Sequence, residues 1–158
     1  MGPMSANTGV SEFSLASIPG SCYAGPVFSW AELRGLTDIK FLNSTAFGSN
    51  YENGVFAGDI ISGTLYYFQP NADRTGIGLG KESPLSDLVA DSDGELSPVT
   101  IGTGFAGITE IETGPDGNLY LLTFDRENDG QGSLLKILPT SLSEYDSSSQ
   151  NGISEQEN

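Results

Sequence analysis

The chain has 158 residues, enough for one domain with a real core. It carries 21 acidic and 6 basic residues, a formal charge of −15, which argues against nucleic acid and anionic membrane surfaces as partners, since both need Lys and Arg opposite their phosphates. There is no His, and Cys22 is the single cysteine, so the commonest general base, the commonest metal ligand and any internal disulfide are absent.

The opening MGPMSANTGV has neither the basic start nor the apolar stretch of a signal peptide. It reads as a vector scar or a start inside a longer gene. Residues 1–22 are small and polar, and are expected to be poorly ordered. Residues 23–139 hold nearly all the aromatics, and no run of about 18 apolar residues interrupts them. From residue 140 the chain reads TSLSEYDSSSQNGISEQEN. Such a segment buries too little apolar surface to offset its ordering entropy, and the expectation is a disordered acidic tail.

Within 23–139 the period is that of strands. Residues 37–42 form a first strand, and 55–60 (VFAGDI) and 64–68 (TLYYF) are short, apolar and rich in strand formers. Ser62-Gly63 between the latter two signals a tight turn and hence a hairpin. RTGIGLG (74–80) reads as an outer strand with flexible glycines, and no strand–turn–helix unit surrounds it to make a dinucleotide site. A short helix is expected at 84–90. Residues 108–113 and 118–124 flank Gly114-Pro115-Asp116-Gly117, a turn sequence, and 133–138 is the last strand.

These pieces repeat. Thr37-Asp38-Ile39-Lys40 opens a unit that passes through Gly63-Thr64-Leu65 and ends at Gln69-Pro70. Thr109-Glu110-Ile111-Glu112 opens a second that passes through Gly132-Ser133-Leu134 and ends at Leu138-Pro139. Repeated small antiparallel sheets predict an all-β chain built as a partial β-propeller of about two four-stranded antiparallel blades. A β-sandwich of seven or more strands is the alternative.

GPVFSW (25–30), FLNSTAFGSNYENGVFAGDIISGTLYYF (41–68) and GTGFAGITEIETGPDGNLYLLTF (102–124) resemble the C-terminal blades of the PQQ-dependent sugar dehydrogenases, the glucose/sorbosone dehydrogenase family. The resemblance covers about residues 23–139. It implies a six-bladed propeller, of which this chain holds the outer strand of one blade, one complete blade and the inner three strands of the next. It also implies a quinoprotein oxidoreductase with PQQ and Ca²⁺ as cofactors and a periplasmic or extracellular setting. PQQ carries three carboxylates and needs cations aimed at it. The family supplies a Lys and two Arg at positions that fall here on Ile61, Gly107 and Thr109. Glu110 keeps an acid where the family has Asp. Lys40, Arg74 and Arg126 sit elsewhere in the pattern, and the family's hydride-abstracting His belongs to blades not present. The expectation is a chain not catalytically competent alone, with no cofactor of its own, completed by missing blades or by self-association. Three copies would close a six-bladed ring. The alternative is a non-catalytic propeller module that binds carbohydrate or protein.

Asp125, Glu127 and Asp129, followed by Gly130, approximate the start of a calcium loop, but Lys136 occupies the position of the closing bidentate acid. A solvated acidic hairpin loop is the first reading and a weak Ca²⁺ site the second. Asp91-Ser92-Asp93-Gly94-Glu95 reads as an acidic turn, Asp116 as a turn former, and Asp59 as a structural acid at a strand end. Asn43-Ser44-Thr45 fits the glycosylation sequon. Trp30, Tyr66, Tyr67 and Phe68 read as core before they read as a sugar-stacking platform, with Tyr66 and Phe68 on one strand face and Tyr67 on the other.

Overall fold

The computed structural model describes residues 19–21, 23–125 and 131–139. Most of the expected N-terminal segment, Cys22 and the acidic tail lie outside the described residues.

Nine strands form among the described residues: β1 (Ser29–Trp30), β2 (Leu36–Phe41), β3 (Val55–Asp59), β4 (Leu65–Phe68), β5 (Val89–Ala90), β6 (Thr100–Gly102), β7 (Gly107–Thr113), β8 (Leu119–Phe124) and β9 (Gly132–Ile137). They make a four-stranded sheet in the order β2-β3-β4-β6, a three-stranded sheet in the order β7-β8-β9, and a two-stranded ribbon of β1 and β5. Both larger sheets are antiparallel and the ribbon is parallel. The described residues are mostly β with almost no helix, and no sheet among them closes on itself.

Three sequence expectations are corrected. Residues 84–87 form successive turns instead of a helix: Ser86 N–H donates to Ser83 O and Leu88 N–H to Leu85 O. Seven residues with Pro84 at the start cannot repay helix nucleation, and Leu85 is instead pulled into the core. RTGIGLG is not the outer strand. The Asn71 side chain accepts from Thr75 N–H and Gly76 N–H and folds this stretch back onto itself, leaving one bridge, Pro70 to Ile77. The fourth place in the sheet goes to β6. Finally, β1, expected as the outer strand of a further blade, pairs in parallel with β5 of its own chain in a separate two-stranded sheet that packs on the first sheet.

The two sheets carry the same register. In the first, Asp38, Ile39, Lys40 and Phe41 pair with Gly58, Ala57, Phe56 and Val55, after an irregularity between Leu36 and Asp38. In the second, Glu110, Ile111, Glu112 and Thr113 pair with Leu122, Leu121, Tyr120 and Leu119, after an irregularity between Ile108 and Glu110. The bulge falls on Thr37 in one and Thr109 in the other. The sequence repeat is therefore a structural repeat, with Ile39 matching Ile111, Gly58 matching Leu122, and Leu65 matching Leu134 through the pairs Gly58–Leu65 and Leu122–Leu134.

Strand alternation splits the core in two. Ala57, Tyr66 and Phe68 face Phe28, Leu85, Ala90, Leu96 and Val99, the layer built by the β1–β5 ribbon and the 3₁₀ turns near residues 93–99. Phe56, Leu65 and Leu42 face Ile108, Ile111, Leu119 and Leu121, the inner face of the second sheet. Tyr66 and Phe68 thus sit on one face of β4 and Tyr67 on the other. The hairpin at 114–117 has Gly117 N–H donating to Gly114 O, Gly117 at φ +78°, and Gly114 N–H donating to Asn118 O. This is a type I turn with Pro115 pre-setting the first corner and glycine taking the left-handed position.

Candidate interaction faces

The joint between the two sheets is the most specifically built part of the molecule. Gly58 sits under Ile108, and a Cβ there would fall inside the contact radius of Ile108 Cγ2, 3.0 Å from Ile108 Cβ and 3.4 Å from Ile111 Cδ1. A glycine in mid-strand is what allows the sheets to close to this distance. Three polar links lock the joint. Thr37 Oγ1 donates to Ile108 O at 2.6 Å, Ile111 N–H donates to Asp38 Oδ2 at 2.6 Å, and Lys40 pairs with Glu112. The Lys40 ammonium lowers the pKa of the Glu112 carboxyl by a hydrogen bond and by its charge. The bulges at Thr37 and Thr109 turn the β2 and β7 backbones so that these groups meet across the joint.

The joint has two halves, and each half recurs, open at least in part. Ile111 is 0% exposed in the joint, whereas its repeat-mate Ile39 is 63% exposed. Leu65 is 2% exposed, whereas its repeat-mate Leu134 is 69% exposed. Around Ile39 lie Val27, Leu36 and Phe41, all exposed, bordering a groove of about 450 Å³ floored by Val55, Ala57 and Phe68. Around Leu134 lie Leu122 and Phe124, also exposed, on the outer face of the second sheet. Large exposed apolar patches of this kind mark interaction surfaces.

The acids singled out in the sequence are placed as follows. Asp59 is fully buried, and its Oδ1 accepts from Gly35 N–H (3.1 Å), Ile61 N–H (2.7 Å) and Ser62 N–H (3.4 Å), while its Oδ2 accepts from the Ser62 hydroxyl (2.8 Å). It ties the β3–β4 loop to the chain entering β2, which is a structural role. Asp116 accepts from Asn118 N–H and the Tyr120 hydroxyl and pairs with Lys136 at 2.6 Å. The Lys136 hydrogen bond, with that of Asn118, holds the Asp116 carboxyl well below the usual carboxylate range, and raises Lys136 in return. Glu95 accepts from Asp91 N–H, and Asp93 pairs with Arg34. Asp125 closes the base of its loop, its N–H donating to Gln131 O. Glu127 and Asp129, like Arg126, lie outside the described residues. No group of three or more acidic, Cys or His side chains suited to a metal occurs among the described residues.

Tyr66 and Phe68 are core, and the half-buried Trp30 packs against them: Phe28 contacts Trp30 at 4.7 Å and Phe68 at 5.0 Å between ring centres, and Trp30 contacts Tyr66 at 5.7 Å. Burial raises the Tyr66 hydroxyl pKa above its ordinary value. Asn43 of the sequon is exposed in the loop after β2. A feature missed in the sequence is a polar cleft of about 490 Å³ at the loop end of the first sheet, lined by Arg34, Ser62, Thr64, Tyr66 and Asp93 among others. Its only sequence signal was Arg34, one of the few cations and flanked by Gly35.

The three positions that the family fills with cations do not suit a tricarboxylate. Ile61 is an exposed apolar side chain, and Thr109 spends its hydroxyl on Leu122 O. Position 107 is closed, since a Cβ there would stand 2.7 Å from Ile60 O. Lys40 is committed to Glu112 across the joint. Comparison with known proteins finds no matching family model, no matching curated protein and no matching solved structure. No helix among the described residues is long and apolar enough to cross a membrane.

Proposed function

We propose that the two sheets are consecutive blades of a propeller-type radial stack, and that the chain is an assembly module completed by further blades. The observation that carries the reading is the contrast between repeat-mates: Ile111 is buried where Ile39 is 63% exposed. In a repeat array each unit buries its faces only against its neighbours, so an end face stays open wherever no cap covers it, as at Leu36 and Ile39 beside the layer around Phe28. The resemblance to the sugar dehydrogenase propellers supports the same architecture from sequence. Chemistry follows the site and not the fold, and the poor fit of Ile61, Gly107 and Thr109 to an anionic quinone supports a module that does not turn over sugars alone.

The test is to add PQQ and Ca²⁺ to the purified chain and follow dye reduction with aldoses, alongside binding to a glycan panel. No turnover is expected. Cofactor-dependent turnover would overturn the reading. Glycan binding without turnover would assign the module a carbohydrate ligand in addition to its partner blades.

A further inference from the structure

We infer that the partner of these open faces is a second copy of this chain, docked head to tail through a joint of the same kind as the one inside it. The inference rests on the two-blade reading above.

One end of the chain presents the inserting half of a joint and the other end presents the receiving half. In the internal joint the inserting half is Ile108, Ile111, Leu119 and Leu121, and the receiving half includes Phe56 and Leu65. By register, the inserting half recurs on the first sheet as Leu36, Ile39, Val55 and Ala57; Leu36 and Ile39 are open at 40% and 63% exposure, while Val55 and the buried Ala57 already pack in the core around Phe28 and form the floor of the contact. The receiving half recurs on the second sheet as Tyr120 and Leu134. A second copy carries the missing half for each end, in the orientation that the internal joint already uses. Such a contact is heterologous, so it leads to a ring or a linear array.

The polar links are kept in kind. Where Thr37 donates to Ile108 O, Thr109 turns its hydroxyl from Leu122 O, to which it donates at 3.0 Å in the single chain, to Leu36 O of the next copy. Where Asp38 accepts from Ile111 N–H, Glu110 accepts from Ile39 N–H, which in the single chain is held by Asp38 Oδ1 at 2.8 Å. Where Lys40 meets Glu112, Glu112, while still paired with Lys40 of its own chain, also faces Lys40 of the next copy, so the charges stay complementary and the Lys and Glu are shared between the two joints. Among the differences between the halves, one sets the spacing: Leu122 replaces the close-approach glycine, Gly58. The joint between copies is therefore wider, and the groove of about 450 Å³ beside Leu36, Ile39 and Phe41 is the space that Leu122 enters.

The full chain is studied by light scattering after size exclusion and by sedimentation across a range of concentration and salt. The wild type is expected to exceed the monomer mass. Its association is expected to strengthen several-fold as NaCl rises from about 0.05 to 0.5 M, because a charge of −15 on each copy opposes contact until screened. Ile39→Lys and Leu134→Lys each remove one half and leave monomers. Mixed together they form a species of one chain of each kind, because each retains the half the other lost. Phe41→Ser and Leu122→Lys give an independent pair at neighbouring sites, and circular dichroism checks that all four variants keep their strands. A monomeric wild type at every concentration and salt overturns the inference, as does disruption by only one of the two lysine substitutions, or failure of the mixture to associate. A monomer that keeps its internal joint, as judged by the Gly58 measurements below, leaves the two-blade reading intact.

Discussion

Gly58→Ala reports on the internal joint through the sign of its effect. A glycine in the middle of an open strand costs about 0.5–1 kcal/mol relative to alanine, so the substitution would stabilise a free sheet by that amount. In the joint, the new methyl falls inside the contact radius of Ile108 Cγ2 and 3.0 Å from Ile108 Cβ. Ile108 is 0% exposed and cannot move away freely. Overpacking of this kind costs about 1–3 kcal/mol, which exceeds the backbone gain. Net destabilisation of about 1–2 kcal/mol is expected by urea unfolding, read as a lower midpoint at constant slope. Ile108→Ala alone removes buried methyls and should cost about 2–5 kcal/mol. In the double variant the Gly58→Ala methyl occupies space the isoleucine vacated, so the two effects should fall short of additivity by about 1 kcal/mol or more. A stabilising Gly58→Ala, or strict additivity in the cycle, would refute face-to-face stacking of the sheets at this point.

Asp59→Ala leaves the N–H groups of Gly35, Ile61 and Ser62 without their acceptor in a buried loop base; a loss of about 3 kcal/mol or more is expected by thermal or urea unfolding, with Asp59→Asn milder. Thr37→Val removes the hydroxyl donated across the joint to Ile108 O and should cost about 1 kcal/mol, while Thr37→Ser should keep most of that link. Asp116 has a folded pKa below its unfolded value, so its contribution is present above the unfolded carboxylate pKa of about 3.9 and fades as pH falls through the lower folded value. Asp116→Asn should therefore flatten the acid limb of stability below about pH 4, seen by comparing unfolding midpoints of the two proteins from neutral to acid pH. An unchanged acid limb would remove the Asp116–Lys136 pair from the account of the hairpin.

The carbonyl-to-amide turn at 114–117, the paired strands on either side of it and the repeat of Thr-acid-Ile-charged were all legible in the sequence, because each depends on local chemistry. Proline and glycine set turn dihedrals, and alternation sets strand faces. Even the bulges fall on the repeated threonines. The fourth strand was misread because RTGIGLG and 100–102 (TIG) both set glycine beside a Thr and an Ile, and alternation alone does not separate them. The choice between them was made by Asn71, whose side chain folds the first stretch into a turn before it can pair. The helix expected at 84–90 failed for the same class of reason: Leu85 is worth more in the core under Phe28 and Tyr66 than in a free turn of helix. Of the loop with Asp125, Glu127 and Asp129, only Asp125 falls among the described residues, where it closes the loop base.

By itself, the sequence determined an all-β chain of two like units, rich in acid and poor in the groups that catalysis commonly uses. Only the tertiary structure decided which face of each unit is buried. Ile39 and Ile111 occupy the same place in their strands, and no local rule distinguishes them. One is covered and the other is bare because burial depends on what stands opposite, and that is a property of stacking order along the chain.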